Sequence, residues 1–204
     1  MENRNVSTRT VKMVQLAILA AIMILMAFTP IGYLKTAGIE ISFMMIPVVV
    51  GAIVMGPGAG TILGGIFGAT SFIQCFGMSI FGAALLAINP IYTFILCMVP
   101  RILMGWLVGL VFKALNKTGR NRLTAFGLSS LLGALFNTIF FMTFLMVLFG
   151  NTEYIKSFQG DLSLIPFILA FVGINGLVEA IVTFIVGAAI SRALVSFIPS
   201  KEKV

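Results

Sequence analysis

From Thr10 to Phe197 the chain passes through one apolar run after another, and only two charged residues, Arg101 and Glu179, lie deep inside them. Of its 204 residues 60% are hydrophobic and 9% are charged. A soluble domain of that size cannot cover its surface with so few charges. A hydrocarbon core of about 30 Å takes roughly 20 helical residues to cross. The expectation is an all-α membrane protein, a bundle of six transmembrane helices forming a single domain over residues 1–204.

Proline and glycine punctuate the runs. Helix 1 is expected from Thr10 to Thr29, ending at Pro30, with a loop from Ile31 to Ile41. Helix 2 follows from Ser42 to Met55, a tight Gly-Pro-Gly turn over 56–60, and helix 3 from Ala59 to Phe76. An apolar loop, Gly77 to Asn89, leads to helix 4, which starts at Pro90 and ends near Leu115. Helix 5 covers Leu123 to Phe149, a polar loop spans Gly150 to Leu162, and helix 6 runs from Ser163 to Phe197. Helix 1 starts basic, but its apolar run is too long for a signal peptide and lacks a small-residue cleavage site, so it is read as a span.

Charge orients the bundle. With six spans both termini share a side, and ten basic residues fall there: Arg4, Arg9, Lys12, Lys113, Lys117, Arg120, Arg122, Arg192, Lys201 and Lys203. Only Lys35 and Lys156 fall on the other, so the termini are expected in the cytoplasm. The net charge of +7 is thus a topology and lipid-headgroup signal, with no nucleic-acid partner implied.

Small residues recur at four-residue spacing, which places them on one helix face where backbones can approach closely. Gly60, Gly64 and Gly68 in helix 3, and Gly105 and Gly109 in helix 4, read as internal packing. Ala17 and Ala21 in helix 1 form a smooth stripe open to two uses, internal packing or docking of a partner's helices.

Ionisable groups at membrane depth face a partner, a cavity or a substrate path. Arg101 lies roughly 16 Å along helix 4 from Pro90, and Glu179 roughly 20 Å along helix 6 from Pro166. The two reach similar depths, so they either pair with each other or touch a ligand. Buried amides carry donors and acceptors that lipid cannot satisfy. Gln74, Asn89, Tyr92, Asn137 and Asn175 would converge on the outward half, under the 31–41 and 77–89 loops. A mostly apolar pocket with a few placed polar groups suits a small organic ligand. An ion site or proton relay lacks the carboxylates it needs.

The absences narrow the chemistry. There is no histidine, no phosphate-binding G-x-x-x-x-G-K-[ST] loop and no G-x-S-x-G elbow, so neither enzyme chemistry nor ATP binding is expected. Cys75 and Cys97 have no zinc spacing and read as packing residues, and no metal or cofactor is implied. Internal inverted repeats of a secondary carrier are not apparent. The chain reads as a binding subunit that depends on others for energy. A stand-alone carrier, an intramembrane enzyme and a structural assembly factor are the competing classes.

Four stretches carry a resemblance: AILAA at 17–21, VMGPGAG at 54–60, VPRILMGWLVG at 99–109 and NGLVEA at 175–180. Together with the size and helix count, they resemble a substrate-binding S-component of an energy-coupling factor (ECF) vitamin transporter, over nearly the whole chain. The resemblance implies a prokaryotic plasma-membrane protein with a transmembrane coupling subunit and two cytoplasmic ATPases as partners. It implies that Ala17 and Ala21 dock the coupling subunit, and that the loop after helix 1 lids a vitamin site. It further places Asn137 and Asn175 in that site, with Arg101 and Glu179 at its floor, and implies a toppling motion for release. Pantothenate-type members look nearest. Arg101 or Lys35 would take the vitamin's carboxylate, while the lone Trp106 argues against an aromatic thiamine cage. Riboflavin and pyridoxine stay open.

Overall fold

The computed structural model describes residues 8–29, 32–36, 39–117 and 122–197. Helix α1 spans Thr8–Ala27. The segment read as a loop after it instead holds an antiparallel hairpin, β1 Tyr33–Thr36 and β2 Ile39–Ser42, with Tyr33 opposite Ser42 and Thr36 opposite Ile39. Aromatic and β-branched residues at these positions favour extended backbone. The amide of Phe43 closes the hairpin's base on the carbonyl of Gly32 at 3.0 Å.

Helix α2, Met45–Met55, is buried from Met45 through Val54. It carries no polar face, so the other helices wrap it on every side. At 11 residues it extends only roughly 16 Å. Gly56, at φ 96°, supplies a turn that an L side chain would strain, and Pro57 then opens α3, Pro57–Gln74.

Helix α3 packs most extensively against α5, Pro90–Lys117, and the seam between them is made of glycine. A Cβ placed on Gly60 would strike the carbonyl of Gly105, and one on Gly64 the carbonyl of Arg101. Gly68 faces Cys97, and Gly109 faces Pro57. The pairs run antiparallel and bring the two backbones into direct contact. The glycine stripes are therefore internal packing, as their spacing suggested. The seam also fixes the height of Arg101 against α3.

The apolar stretch between α3 and α5, expected to be a loop, is partly a short helix, α4, Ile80–Ile88. Ser79 caps it by accepting from the amide of Gly82 at 3.3 Å. Helix α6 covers Arg122–Phe149. The polar loop after it contains α7, Glu153–Gln159, capped by Thr152. The last expected helix is broken. Helix α8, Leu164–Val182, kinks at Gly173 (φ 39°), a π-helical turn occupies Thr183–Gly187, and α9 runs over Ala188–Phe197. A single straight helix of that length would extend roughly 50 Å, well beyond a bilayer core.

Among the described residues four helical stretches are long and apolar enough to cross a membrane: Thr10–Ala27, Pro90–Lys117, Leu123–Phe149 and Gly176–Leu194. Among the described residues the protein is a helical, multi-pass membrane bundle with one small hairpin.

The interior divides into two apolar clusters. The larger surrounds α2 and takes in Leu63 and Phe67 of α3, Met104 and Val108 of α5 and Ala180 of α8. The smaller lies among α4 to α8 and includes Leu85, Leu96, Leu145, Phe149 and Phe167. Rings of Phe81, Tyr154, Phe158 and Phe171 bind α4, α7 and α8 around it. Along α5 the break between the clusters falls between Leu96 and Met104, and along α6 between Ala134 and Met142.

Candidate functional site

Two polar residues, Arg101 and Asn137, stand at that break. Arg101 follows Pro100, which sits inside α5. Proline has no N–H, so the carbonyl four residues earlier, on Leu96, loses its helical partner. The Arg101 guanidinium replaces it, donating from Nη1 to the Leu96 oxygen at 2.7 Å. This turns the side chain along α5 toward the smaller cluster, where two rings flank it. The guanidinium carbon lies 4.7 Å from the Phe141 ring centre and 5.4 Å from that of Phe67. Cation–π contact steadies the charge without neutralising it. Nε–H of Arg101 remains buried with no hydrogen-bond partner.

Asn137 stands one helical turn before Phe141 on α6 and shares its face. Its side chain is buried, and its Oδ1 accepts no hydrogen bond. The break therefore holds a buried donor and a buried acceptor, both unsatisfied. Each such group costs about 1–3 kcal/mol, and its persistence calls for an explanation.

Glu179 sits beside the break on α8, next to Ala180 of the larger cluster. Among the described residues no ion pair joins it to Arg101. Glu179 Oε1 instead accepts the backbone N–H of Ser42, at the base of the hairpin, at 2.6 Å. Gln74, also buried, donates from Nε2 to the carbonyl of Ala27 at 2.6 Å. Asn89 caps α5, its Oδ1 accepting from the amides of Ile91 and Tyr92 at 3.0 and 3.1 Å. Tyr92 is exposed and meets Phe149 edge to face. The side chains of Lys35 and Asn175 lie outside the described residues. Ala17 and Ala21 are exposed on α1 beside Val14, Ile18 and Leu25.

The structure thus brings Arg101 and Asn137 to one level, and gives Gln74, Asn89 and Glu179 backbone partners. Sequence reasoning missed Phe67 and Phe141, for which a chain of 19 phenylalanines offers no signal. The grip of Arg101 on the Leu96 carbonyl was missed as well, although Pro100 carried the signal, since a mid-helix proline frees a carbonyl for a nearby donor. The thiols of Cys75 and Cys97 meet at 3.9 Å in a buried contact, as packing residues would.

A family model for the substrate-specific component of ECF transporters matches residues 11–191. The chain belongs to this family. Members are substrate-binding parts of transporters rather than enzymes, so this S-component serves transport. The Leuconostoc mesenteroides protein named "Pantothenate transporter PanT" is 30% identical over 187 residues, covering 86% of this chain and 87% of the relative. The Lactococcus lactis subsp. cremoris protein named "Pantothenic acid transporter PanT" is 30% identical over 162 residues, covering 75% and 76%. Likeness at this level spans the α3–α5 seam and both helices of the break, not an isolated motif.

Proposed function

We propose that this S-component binds pantothenate at the break between the two clusters and delivers it inward with an ATP-driven coupling module. The observation that carries the reading is the pair of unsatisfied buried groups, Arg101 Nε–H and Asn137 Oδ1. Pantothenate supplies a carboxylate for the guanidinium, with the geometric fit that Arg offers such anions. Its hydroxyls and amide N–H supply donors for Asn137, and its gem-dimethyl group suits the flanking phenylalanine rings. The names of the two relatives point to the same vitamin.

The rest of the assignment follows the family. Helix α3 and the short, wholly buried α2, which its neighbours shield from lipid, complete six segments with the four long stretches, and the ten-to-two distribution of basic residues favours both termini in the cytoplasm. The chain forms a single domain in a prokaryotic plasma membrane. The exposed face around Ala17 and Ala21 docks the transmembrane coupling subunit, which two cytoplasmic ATPases drive. Tyr92, Lys35 and Asn175 are kept as ligand contacts on the sequence reading alone.

Native mass spectrometry of the purified chain, with and without added pantothenate, tests the ligand. A bound species of pantothenate mass is expected. Retention of riboflavin, pyridoxine or another compound, with no displacement by pantothenate, overturns the assignment. Uptake by the chain alone in vesicles overturns the dependence on partners.

A further inference from the structure

We infer that Gln74 and Glu179 are positioning residues that clamp the two feet of the β1–β2 hairpin, an inference that rests on the chain's being a binding subunit. The hairpin leaves the bundle at Ala27 and re-enters at Ser42. At the first foot, the Ala27 carbonyl belongs to the last turn of α1, where carbonyls have no helical partner. Gln74, from the end of α3, takes it at 2.6 Å. At the second foot, Ser42 is the final residue of β2, and Glu179 of α8 takes its amide at 2.6 Å.

The two grips come from helices α3 and α8, one at each foot, so the hairpin is tied to two separate helices of the bundle. The hairpin's own base closes through Phe43 and Gly32, which leaves the side-chain grips free to set where the unit sits. Geometry favours this role for Glu179 over ligand contact, because its Oε1 is already engaged by the Ser42 N–H at 2.6 Å. Leaving a buried backbone donor or acceptor unsatisfied shifts an open–closed balance by about five- to a hundredfold.

Hydrogen–deuterium exchange on the purified, ligand-free full chain tests the clamp. Glu179→Ala, Glu179→Asp and Gln74→Ala should each speed exchange of the amides of residues 33–43 by about fivefold or more. Amides of the α3–α5 seam should stay protected, and Glu179→Gln, which retains an acceptor oxygen, should restore hairpin protection. With pantothenate as the probe, dissociation should accelerate by a similar factor in the same three variants. Unchanged hairpin exchange in Glu179→Asp and Gln74→Ala overturns the clamp, as does loss of binding in those variants with hairpin exchange unaltered. If wild-type protein binds no pantothenate, the ligand assignment falls, and the exchange measurement still decides the clamp.

Discussion

Replacing Arg101 with methionine separates recognition from stability. The wild-type guanidinium is buried, holds the Leu96 carbonyl, touches two rings and has no ion-pair partner in Glu179. Methionine has a similar length and no charge. Its cost is the orphaned Leu96 carbonyl, about 1–3 kcal/mol. Set against that is removal of an uncompensated buried charge, a change that well-packed apolar replacements often turn to neutral or stabilising. The net effect on folding should stay within about 2 kcal/mol. Binding should behave differently. Two charge-assisted hydrogen bonds to a ligand carboxylate, at about 1.5–3 kcal/mol each, correspond to a loss of roughly 10² to 10⁴ in affinity. Arg101→Lys keeps the charge but loses the fork and the ring contacts, and should fall between the two. Calorimetric titration with pantothenate and thermal unfolding of the detergent-purified proteins read both quantities. Affinity of Arg101→Met within threefold of wild type (roughly 0.7 kcal/mol) would refute the recognition role. So would a methionine variant that fails to fold alongside a lysine variant that binds normally, since the arginine would then be structural.

Three further outcomes are expected. Gly64→Ala should lower stability by about 1–3 kcal/mol and weaken binding, because its Cβ meets the backbone of Arg101 and lies 3.1 Å from the Cα of Ile102. Gly65→Ala, whose Cβ meets only Ile102 Cγ1 at 4.0 Å, should leave both unchanged, and thermal melts of the pair check the seam. Ala17→Trp or Ala21→Trp should keep ligand binding and abolish uptake in vesicles containing the coupling subunit and ATPases; loss of binding itself would count against docking. Asn89→Ala should cost about 1 kcal/mol through loss of the α5 cap and leave affinity unchanged, which melts and titration together decide.

The long helices α5 and α6 were legible to within two residues, because proline, basic turns and unbroken apolar length mark their ends. The glycine seam was legible too, since four-residue spacing has one geometric meaning on a helix. The hairpin was not, because a short run between Pro30 and Ser42 carries too few residues for a period to emerge. The breaks at Gly173 and at the π-helical turn were also hidden, since apolar composition continues through them without a change.

The candidate site divides the same way. Depth along a helix follows from counting residues, and it set Arg101 and Glu179 at comparable levels. Depth does not say which neighbour a side chain meets, for that depends on rotation about the helix axis and on distant segments. Only the tertiary structure turned Arg101 onto Leu96, Phe67 and Phe141, and bound Glu179 to Ser42, 137 residues away in sequence.

What the sequence alone determined is that this chain lives in a bilayer as an apolar helical bundle with two charges in its interior. Lipid imposes that conclusion, because it neither hydrates a charge nor satisfies an open backbone. What the tertiary structure decided is which partners the polar residues meet. Gln74, Asn89 and Glu179 serve the backbone, while Arg101 and Asn137 keep unsatisfied groups between two packed clusters. Packing alone could settle this, because a hydrogen bond goes to whichever group the fold brings within 3 Å or so.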